Sequence, residues 1–511
     1  MPAASGRASP SPARGRRCAG WRRRGCAIIR CRRPICRLSR CCATGFEPLA
    51  KPHEPGSTAP IGESMMAEHA AARRRIWGWY FFDWASQPFS VLLLTFIFAP
   101  YIKDLLGDGT AAQAAWGWAL GASGLVIAIA APLLGSVADR TGRHRLWVAA
   151  FSVLYVLGAS ALWWADPADF NLVLILVAFG IGLAGLEFAT IFTNAMLPDL
   201  APRAEIGRIS GAGWAFGYAG GLIALLIMLC FFAENAEGHT LLGLAPLFGL
   251  DAAAREGTRF SGPFTALWYL VFIVPFFLWV RGPGLAGTGG AGLGEALRAA
   301  WPDLRASLAL LPARRGLAAW LGASMLARDG LNGLYTFGGI YAAGVLGWSV
   351  IDVGVFGIVA VIAGALAAWL GGLADARLGP RPVIGAMLVV LLGATLALVF
   401  VSRESVFGVA VAPGGRAPDL AFTALGAVIG AAGGIVQAAS RTMMVRQADP
   451  AHMAQAFGLY ALAGKATAFV APLAIGAATT LTGSQQAGIL PLVVLFAGAL
   501  WLLRLVPPGK G

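Results

Sequence analysis

Twelve apolar runs of about 20 residues follow one another along the chain, separated by short polar or Gly/Pro-rich breaks. Runs of this length can cross a bilayer, where only helices and closed barrels satisfy every backbone hydrogen bond. Only 13% of the residues are charged, which is about half the share typical of soluble domains. The sequence therefore predicts an all-α integral membrane protein with twelve transmembrane helices, near residues 79–102, 113–137, 146–164, 170–193, 209–232, 262–280, 317–342, 350–372, 382–401, 419–440, 455–478 and 487–505.

The positive charges beyond residue 64 are unevenly divided between the two sides of these predicted helices. With the N terminus in the cytoplasm, 19 Lys and Arg residues fall on the cytoplasmic side and five on the other side. Two more, Arg328 and Lys465, lie within spans. Because positive charges favour the cytoplasmic side of a membrane, we predict that both termini are cytoplasmic. The expected location is the bacterial inner (plasma) membrane.

Residues 1–64 differ in composition from the rest of the chain. They hold twelve Arg and one Lys against three Glu, and six of the seven cysteines, so they supply +10 of the net charge of +14. The cysteines lack the paired C-x-x-C spacing of a zinc site. We interpret this segment as a disordered or non-native leader, with Met65 or Met66 as the start. An organelle transit peptide is the alternative, since it is also rich in arginine.

A Gly-rich connection divides the predicted helices into two sets of six. The predicted organisation is an N-terminal half, a cytoplasmic linker, a C-terminal half and a short cytoplasmic tail, at residues 73–280, 281–316, 317–505 and 506–511. The two halves also resemble each other, since Asp83 in the first span has a counterpart in Asp329 of the seventh. Together with similar offsets between other matching stretches, this correspondence predicts a parallel internal repeat.

The loop between the second and third predicted spans has the sequence GSVADRTGRHR (135–145). It resembles the signature loop of the major facilitator superfamily and departs from it only at His144. In that family the loop holds the two halves together on the cytoplasmic side, which implies the twelve-helix major facilitator fold. The resemblance assigns this gating role to Gly135, Asp139, Arg140, Gly142 and Arg143, and to Asp375 and Arg377 in the weaker second copy, GGLADARLGPR (371–381).

Four further stretches resemble the vacuole-effluxer branch of this superfamily, which includes the autophagy-related vacuolar amino-acid exporter and bacterial relatives. They are FFDWASQPFSVLLLTFIFAPY (81–101), ISGAGWAFGYAGG (209–221), QAASRTMMV (437–445) and FGLYALAGKATAFVAP (457–472). The likeness covers nearly all of residues 73–505 and departs at Arg328, where relatives often carry a small polar residue. It implies export of small solutes, with the first, fourth, seventh and tenth spans lining a central cavity.

Several ionisable side chains lie within the predicted spans, where burying a charge is costly and usually serves function. We predict that substrate or proton coupling involves Asp83, Glu187, Arg328, Asp329 and Lys465. Structural ion pairs, for instance between Asp329 and Lys465, are the alternative. Further candidate cavity residues are Gln87, Asn194, Trp214, Gln437 and Arg441, of which Arg441 suits an anchor or gate.

The sequence therefore predicts a secondary active transporter that exports or exchanges amino acids or similar zwitterions, with coupling to protons as an option. The alternatives are a drug or sugar exporter of the same superfamily, and a transporter-like sensor or scaffold without flux. No H-E-x-x-H or G-x-S-x-G motif occurs, which argues against an enzyme. The expected partners are the lipid bilayer and a small solute. We expect a monomer with no cofactor, metal or nucleic acid.

Overall fold

The apolar runs of the first half form helices, several of which extend beyond the predicted ends. A computed structural model gives their bounds as α1 (Ile61–Pro88), α2 (Phe98–Leu106), α3 (Gly109–Thr141), α4 (His144–Ser160), α5 (Leu172–Ala195), α6 (Ile206–Phe231), α7 (Glu256–Arg259), α8 (Ser261–Phe272) and α9 (Val274–Trp279). A π-helix (Phe89–Phe96) joins α1 to α2. Short 3₁₀ turns follow α4, α5 and α6, at Ala161–Trp164, Leu197–Asp199 and Leu247–Gly249.

The second half is also helical and is preceded by one helix in the predicted linker. The helices are α10 (Leu293–Leu310) in the linker, then α11 (Arg315–Leu346), α12 (Val350–Leu378), α13 (Pro380–Val399), α14 (Ala417–Gln447), α15 (Met453–Ala466), α16 (Val470–Thr482), α17 (Gln485–Gly488) and α18 (Leu490–Arg504). A 3₁₀ turn (Pro450–His452) precedes α15. Strands β1 (Ser405–Val406) and β2 (Val409–Ala410) form a small antiparallel hairpin between α13 and α14, with Ser405 opposite Ala410.

The structure describes residues 61–107, 109–235, 237–281, 290–348 and 350–507. Residues 1–60 of the predicted leader therefore lie outside the described residues, and the interpretation of this segment stays a prediction. Glu68–Gly511 form one unit, separate from the residues before it.

Eleven helical segments within the described residues are long and apolar enough to span a membrane. The seventh predicted span is not among them, although α11 is a continuous helix of 32 residues. Arg328 and Asp329 lie near its middle and lower the hydropathy of any window that contains them. The predicted all-α membrane fold is confirmed, and the count of twelve stays a prediction.

Several predicted spans are interrupted by changes in helix geometry, among them the first and the eleventh. In the first span, Pro88 ends the regular α-helix and the π-helix follows it. Proline removes a backbone donor and its ring clashes with the preceding turn, and π-helical segments often mark functional sites. The eleventh span is divided between α15 and α16, which Thr467–Phe469 separate.

The two halves touch where glycines allow their helices to approach closely. A Cβ atom on Gly458 of α15 would lie 2.5 Å from the carbonyl oxygen of Ala131 in α3. A Cβ atom on Gly211 of α6 would lie 2.5 Å from the Cα of Gly372 in α12. Small residues at such positions bring membrane helices into backbone contact. Both contacts lie toward the end of the bundle that carries the loop 135–145, which we call the motif end.

The linker helix α10 packs against α3 at the motif end. Ala296 and Ala300 are buried against Val137, while Leu293, Leu297 and Trp301 remain exposed. Burying one face of a helix in this way is typical of an amphipathic helix that lies along a surface. The Gly-rich part of the linker, residues 282–289, lies outside the described residues.

Substituting Gly458 with alanine should destabilise the contact between α3 and α15. The added methyl group would clash with backbone atoms of α3, which can move only together with the rest of that helix. We expect a lower melting temperature for the purified protein in detergent. Gly121→Ala on α3 is the matched control, since a Cβ atom there meets nothing within 4 Å and alanine favours helix over glycine by up to about 1 kcal/mol. Equal melting temperatures for the two variants would contradict this packing.

Candidate functional site

Asp139 lies in the last turn of α3 and not in a loop as predicted, and it caps a helix of the opposite half. Its Oδ1 accepts a hydrogen bond from the backbone N–H of Ala454 at 3.0 Å, and its Oδ2 accepts one from the N–H of Gln455 at 2.9 Å. Both donors belong to the first turn of α15, whose N–H groups lack partners within the helix and carry the positive end of its dipole. His144 Nε2 lies 3.3 Å from the same carboxylate. The predicted gating residue thus joins the two halves directly.

Two positions of the motif, Gly135 and Gly142, require glycine for different reasons. A Cβ atom on Gly135 would lie 2.5 Å from the carbonyl oxygen of Ala454, so only glycine fits between α3 and α15 here. Gly142 has a φ of +65°, a left-handed conformation that glycine adopts without strain and that turns the chain from α3 into α4. Arg143, the residue before α4, is exposed.

Arg140 connects the motif loop to the linker helix. Its guanidinium forms a bidentate ion pair with Asp303 of α10, in which Nη2 donates to Oδ1 at 2.7 Å, and Ser136 Oγ donates to Oδ2 at 2.8 Å. The hydrogen bond from Arg140 holds the pKa of Asp303 below its usual range. This contact is therefore maintained at neutral pH and is lost when acidification protonates Asp303.

The second copy of the motif is placed equivalently but makes fewer contacts. Asp375 is buried near the start of α6, where a Cβ atom on Gly207 would lie 2.7 Å from its Oδ2. Neither carboxylate oxygen of Asp375 has a hydrogen-bond partner among the described residues, and Arg377 is exposed. At the motif end, Asp139 is thus engaged with the opposite half through hydrogen bonds and its counterpart is not.

Deeper in the bundle, Asp83 of α1 forms an ion pair with Arg441 of α14. The guanidinium donates from Nη1 to Oδ2 at 2.7 Å and from Nη2 to Oδ1 at 3.0 Å, and both side chains are buried. Arg441 also lies near the rings of Trp79 and Trp214, at 5.3 and 4.8 Å from their centroids. Bidentate geometry and flanking aromatic rings suit arginine rather than lysine. Arg441 therefore belongs to the same site as Asp83.

The local sequence holds this pair in place from the N-terminal half. The indole of Trp79, one helical turn before Asp83, donates to the carbonyl oxygen of Thr193 at 2.9 Å. Gly213 of α6 lets that helix approach both side chains, because a Cβ atom there would lie 2.5 Å from Trp79 and 3.0 Å from Asp83 Oδ2. Gly213, the second glycine of GAGWAFG (211–217), therefore allows close packing around the charged pair.

A second ion pair between the halves joins Glu187 of α5 to Lys465 of α15. The ammonium lies 2.9 Å from Oε1, and the two side chains are 26% and 24% exposed, unlike the buried Asp83 and Arg441. The adjacent Arg328 lies 4.8 Å from the ring of Tyr460 and donates to the carbonyl oxygen of that residue at 3.1 Å. These three charged groups form a partly accessible cluster on α5, α11 and α15.

Asp329 is completely buried, and the suggested pairing with Lys465 does not occur because that ammonium contacts Glu187. Neither oxygen of Asp329 has a hydrogen-bond partner among the described residues. Arg328 precedes it directly but points to α15, because successive helical residues face different directions.

The remaining predicted cavity residues lie around these pairs. Gln437 of α14 donates from Nε2 to the hydroxyl of Tyr218 in α6 at 3.3 Å, a further link between the halves. Gln87 packs against Gly221, and Asn194 is buried beside Thr193. Sequence reasoning did not select Tyr218, Tyr460 or Asp303. Tyr218 and Tyr460 lie in two of the stretches that resemble the vacuole-effluxer branch, whereas Asp303 lies in a linker stretch with helical apolar periodicity.

Contacts between the halves thus occur at three depths from the motif end. Asp139 lies at the end itself, Arg441 lies six residues before the end of α14, or about 9 Å inward, and Lys465 lies ten residues past Gln455, or about 15 Å inward. Separating the halves at this end requires breaking all three. Charged groups exposed by that separation need new partners, which water or a charged solute can supply.

Arg441→Gln should reduce the free energy of unfolding by about 3–5 kcal/mol, because it leaves the Asp83 carboxylate buried without its cation. Adding Asp83→Asn should recover much of that loss. The exposed pair of Arg403 with Asp419 provides the control, since Arg403→Gln should cost only about 0–1 kcal/mol. Unfolding of purified variants in detergent measures these values, and strictly additive effects of the two substitutions at the buried pair would contradict direct coupling.

Comparison with known proteins gives the family. The sequence model of the family described as "Vacuole effluxer Atg22 like" matches residues 118–511. The MFS-type transporter YxiO of Bacillus subtilis is 23% identical over 441 residues, covering 84% of this chain and 94% of that protein. Autophagy-related protein 22 of Cryptococcus neoformans is 24% identical over 309 residues, covering 60% of this chain and 51% of that protein. These relatives are transporters, as predicted, and not enzymes.

The fold agrees with this assignment. The crystal structure of the major facilitator transporter FucP in its outward conformation superposes with a TM-score of 0.60 at 17% identity, covering 84% of this chain and 98% of that one. The motif loop, the paired halves and the family match all lead to one conclusion: the chain belongs to the Atg22-like vacuole effluxer family of major facilitator superfamily transporters.

Proposed function

We propose that this transporter exports or exchanges amino acids or similar small zwitterions by alternating access. The family description names vacuolar efflux, which supports export as the direction. The uneven distribution of Lys and Arg supports a cytoplasmic motif end and, for a chain similar to a Bacillus subtilis transporter, a location in the plasma membrane.

The observation that carries the choice of substrate class is the partly exposed ion pair of Glu187 with Lys465. A zwitterion brings one ammonium and one carboxylate of its own. Its ammonium can replace Lys465 beside Glu187, while its carboxylate binds Lys465 or the neighbouring Arg328. No charge is left without a partner in this exchange, whereas a neutral sugar would leave the separated pair unsatisfied.

Alternating access follows from the three depths of contact. We infer that an exported solute enters through the open motif end and binds Glu187 and Lys465 in place of their ion pair. The pair of Asp83 with Arg441 and the capping of α15 by Asp139 then re-form and close the motif end. The solute is thereby enclosed on that side and leaves on the other side of the membrane.

Transport is tested in proteoliposomes loaded with a mixture of the twenty amino acids, with efflux followed by mass spectrometry. We expect efflux or exchange of at least one zwitterionic amino acid. The variant Glu187→Gln/Lys465→Met should lose at least about 90% of it, because removing both charges removes the proposed contacts. Glu205→Gln/Arg208→Gln is the matched control, since it removes an acid and a base from an exposed pair and should leave flux unchanged.

Other outcomes of the same assay contradict the proposal. Efflux of ethidium, fucose or xylose without any amino-acid flux would favour a drug or sugar exporter. Absence of flux for every solute, in a protein that is folded and correctly inserted, would favour a sensor or scaffold. Unchanged amino-acid flux in Glu187→Gln/Lys465→Met would remove the ion pair from the substrate site.

A further inference from the structure

Asp329 lies in an environment that does not accommodate a charged carboxylate. The residue is 0% exposed, and neither of its oxygens has a hydrogen-bond partner among the described residues. The hydroxyl of Thr467, in the segment between α15 and α16, faces Asp329 and is itself buried outside hydrogen-bonding geometry. The other two intramembrane carboxylates differ, because Asp83 and Glu187 each contact a cation.

The walls around Asp329 are apolar. Beside it on α11, Gly330 packs against the ring of Phe496 in α18, and one turn later Gly333 packs against Leu492 and Ala471. Helices α16 and α17 contain no ionisable residue, and the only one in α18 is Arg504 at its last position. No counter-ion therefore faces Asp329 from the described parts of these helices.

Three cations on α11 and the remaining neighbouring helices, Arg328, Lys465 and Arg441, are already engaged. Arg328, on the same helix, lies over Tyr460 and donates to its carbonyl oxygen. Lys465 of α15 pairs with Glu187, and Arg441 of α14 pairs with Asp83. The other ionisable residues of α12 and α14 are Asp352, Asp375, Arg377, Asp419 and Arg446, and they lie toward the ends of those helices.

An isolated buried carboxylate is strongly destabilised, and such groups ordinarily become neutral by binding a proton. We propose that Asp329 binds a proton in the conformation that is closed at the motif end, and that it is the carboxyl that carries H⁺ through the transport cycle. The inference rests on the proposed transport function for the cycle, while the bound proton itself is a property of this one conformation.

The proton balance of the proposed step is simple. When the halves separate at the motif end, the O–H bond of the Asp329 carboxyl breaks and its proton passes to water on that side. The Lys465 ammonium, released from Glu187 when a zwitterion binds there, then compensates the negative charge left on Asp329. A proton taken up from the opposite side restores the neutral carboxyl, so each cycle moves one H⁺ in the direction opposite to the exported solute.

The bound proton is tested by infrared spectroscopy of the full-length protein in nanodiscs at pH 7, with and without ¹³C-labelled aspartate. We expect a carbonyl stretch of a neutral carboxyl that shifts on labelling and loses intensity in Asp329→Asn. The same band should keep its full intensity in Asp83→Asn, because both oxygens of Asp83 accept hydrogen bonds from the guanidinium of Arg441. Asparagine has the shape of the neutral acid, so Asp329→Asn should fold.

Asp329→Glu gives a second measurement that does not remove the carboxyl. In this variant a neutral-carboxyl band should persist. The contribution of position 329 to that band should no longer shift on labelling with ¹³C-aspartate, because the residue there is glutamate. A labelled band of equal intensity in wild type and Asp329→Asn would overturn the proposal, as would the absence of any such band in the wild type. The latter result would indicate an ionised Asp329 stabilised by a buried water.

Failure of this inference is distinguishable from failure of the proposed function. The infrared measurement needs no substrate, so it reports on the proton whether or not amino acids are transported. In proteoliposomes, Asp329→Asn should abolish uphill efflux driven by a pH gradient and retain exchange at equal pH. Loss of exchange as well would assign Asp329 to substrate binding and overturn its role as proton carrier.

Discussion

The buried ion pair of Asp83 with Arg441 constrains the whole arrangement, because it joins the two halves through two charged side chains that are both buried. Two charges in such a place are tolerated only while each remains the partner of the other or of an equivalent group. Trp79, Trp214 and Gly213 form the surroundings that keep the guanidinium and carboxylate aligned. Any motion that separates the halves at the motif end must therefore supply replacement partners, which couples opening of the bundle to solvation or to a charged solute.

The two halves carry carboxylates at corresponding positions of the sequence, but these carboxylates differ in their hydrogen bonds. The carboxylates of the N-terminal half, Asp83 and Asp139, are both fully hydrogen-bonded to the C-terminal half. Their counterparts Asp329 and Asp375 are both buried without hydrogen-bond partners among the described residues. In the conformation that is closed at the motif end, the N-terminal copies therefore hold the contacts between the halves.

Sequence alone predicted the helical membrane fold, the gating loop and the list of intramembrane charges, because apolar length, the loop spacing and the cost of buried charge are local properties. Pairing of those charges was not predictable, since it depends on which helices face each other. Arg441 was assigned to an anchor or gate, but whether it would meet Asp83, 358 positions away, could not be deduced from spacing. Asp303 escaped selection because its partner Arg140 lies on another helix, and the hydroxyl groups of Tyr218 and Thr467 carry no sequence signal of their own.

We infer that contacts between the halves, with the Asp83–Arg441 pair among them, hold the motif end closed. Leu146 and Leu378 are exposed at the motif end on opposite halves and carry no predicted gating role, so spin labels carried by non-canonical amino acids at these positions report on their separation. Double electron–electron resonance in nanodiscs should give one short distance in the wild type and an additional longer distance in Arg441→Gln. An identical distance distribution in both proteins would contradict the account.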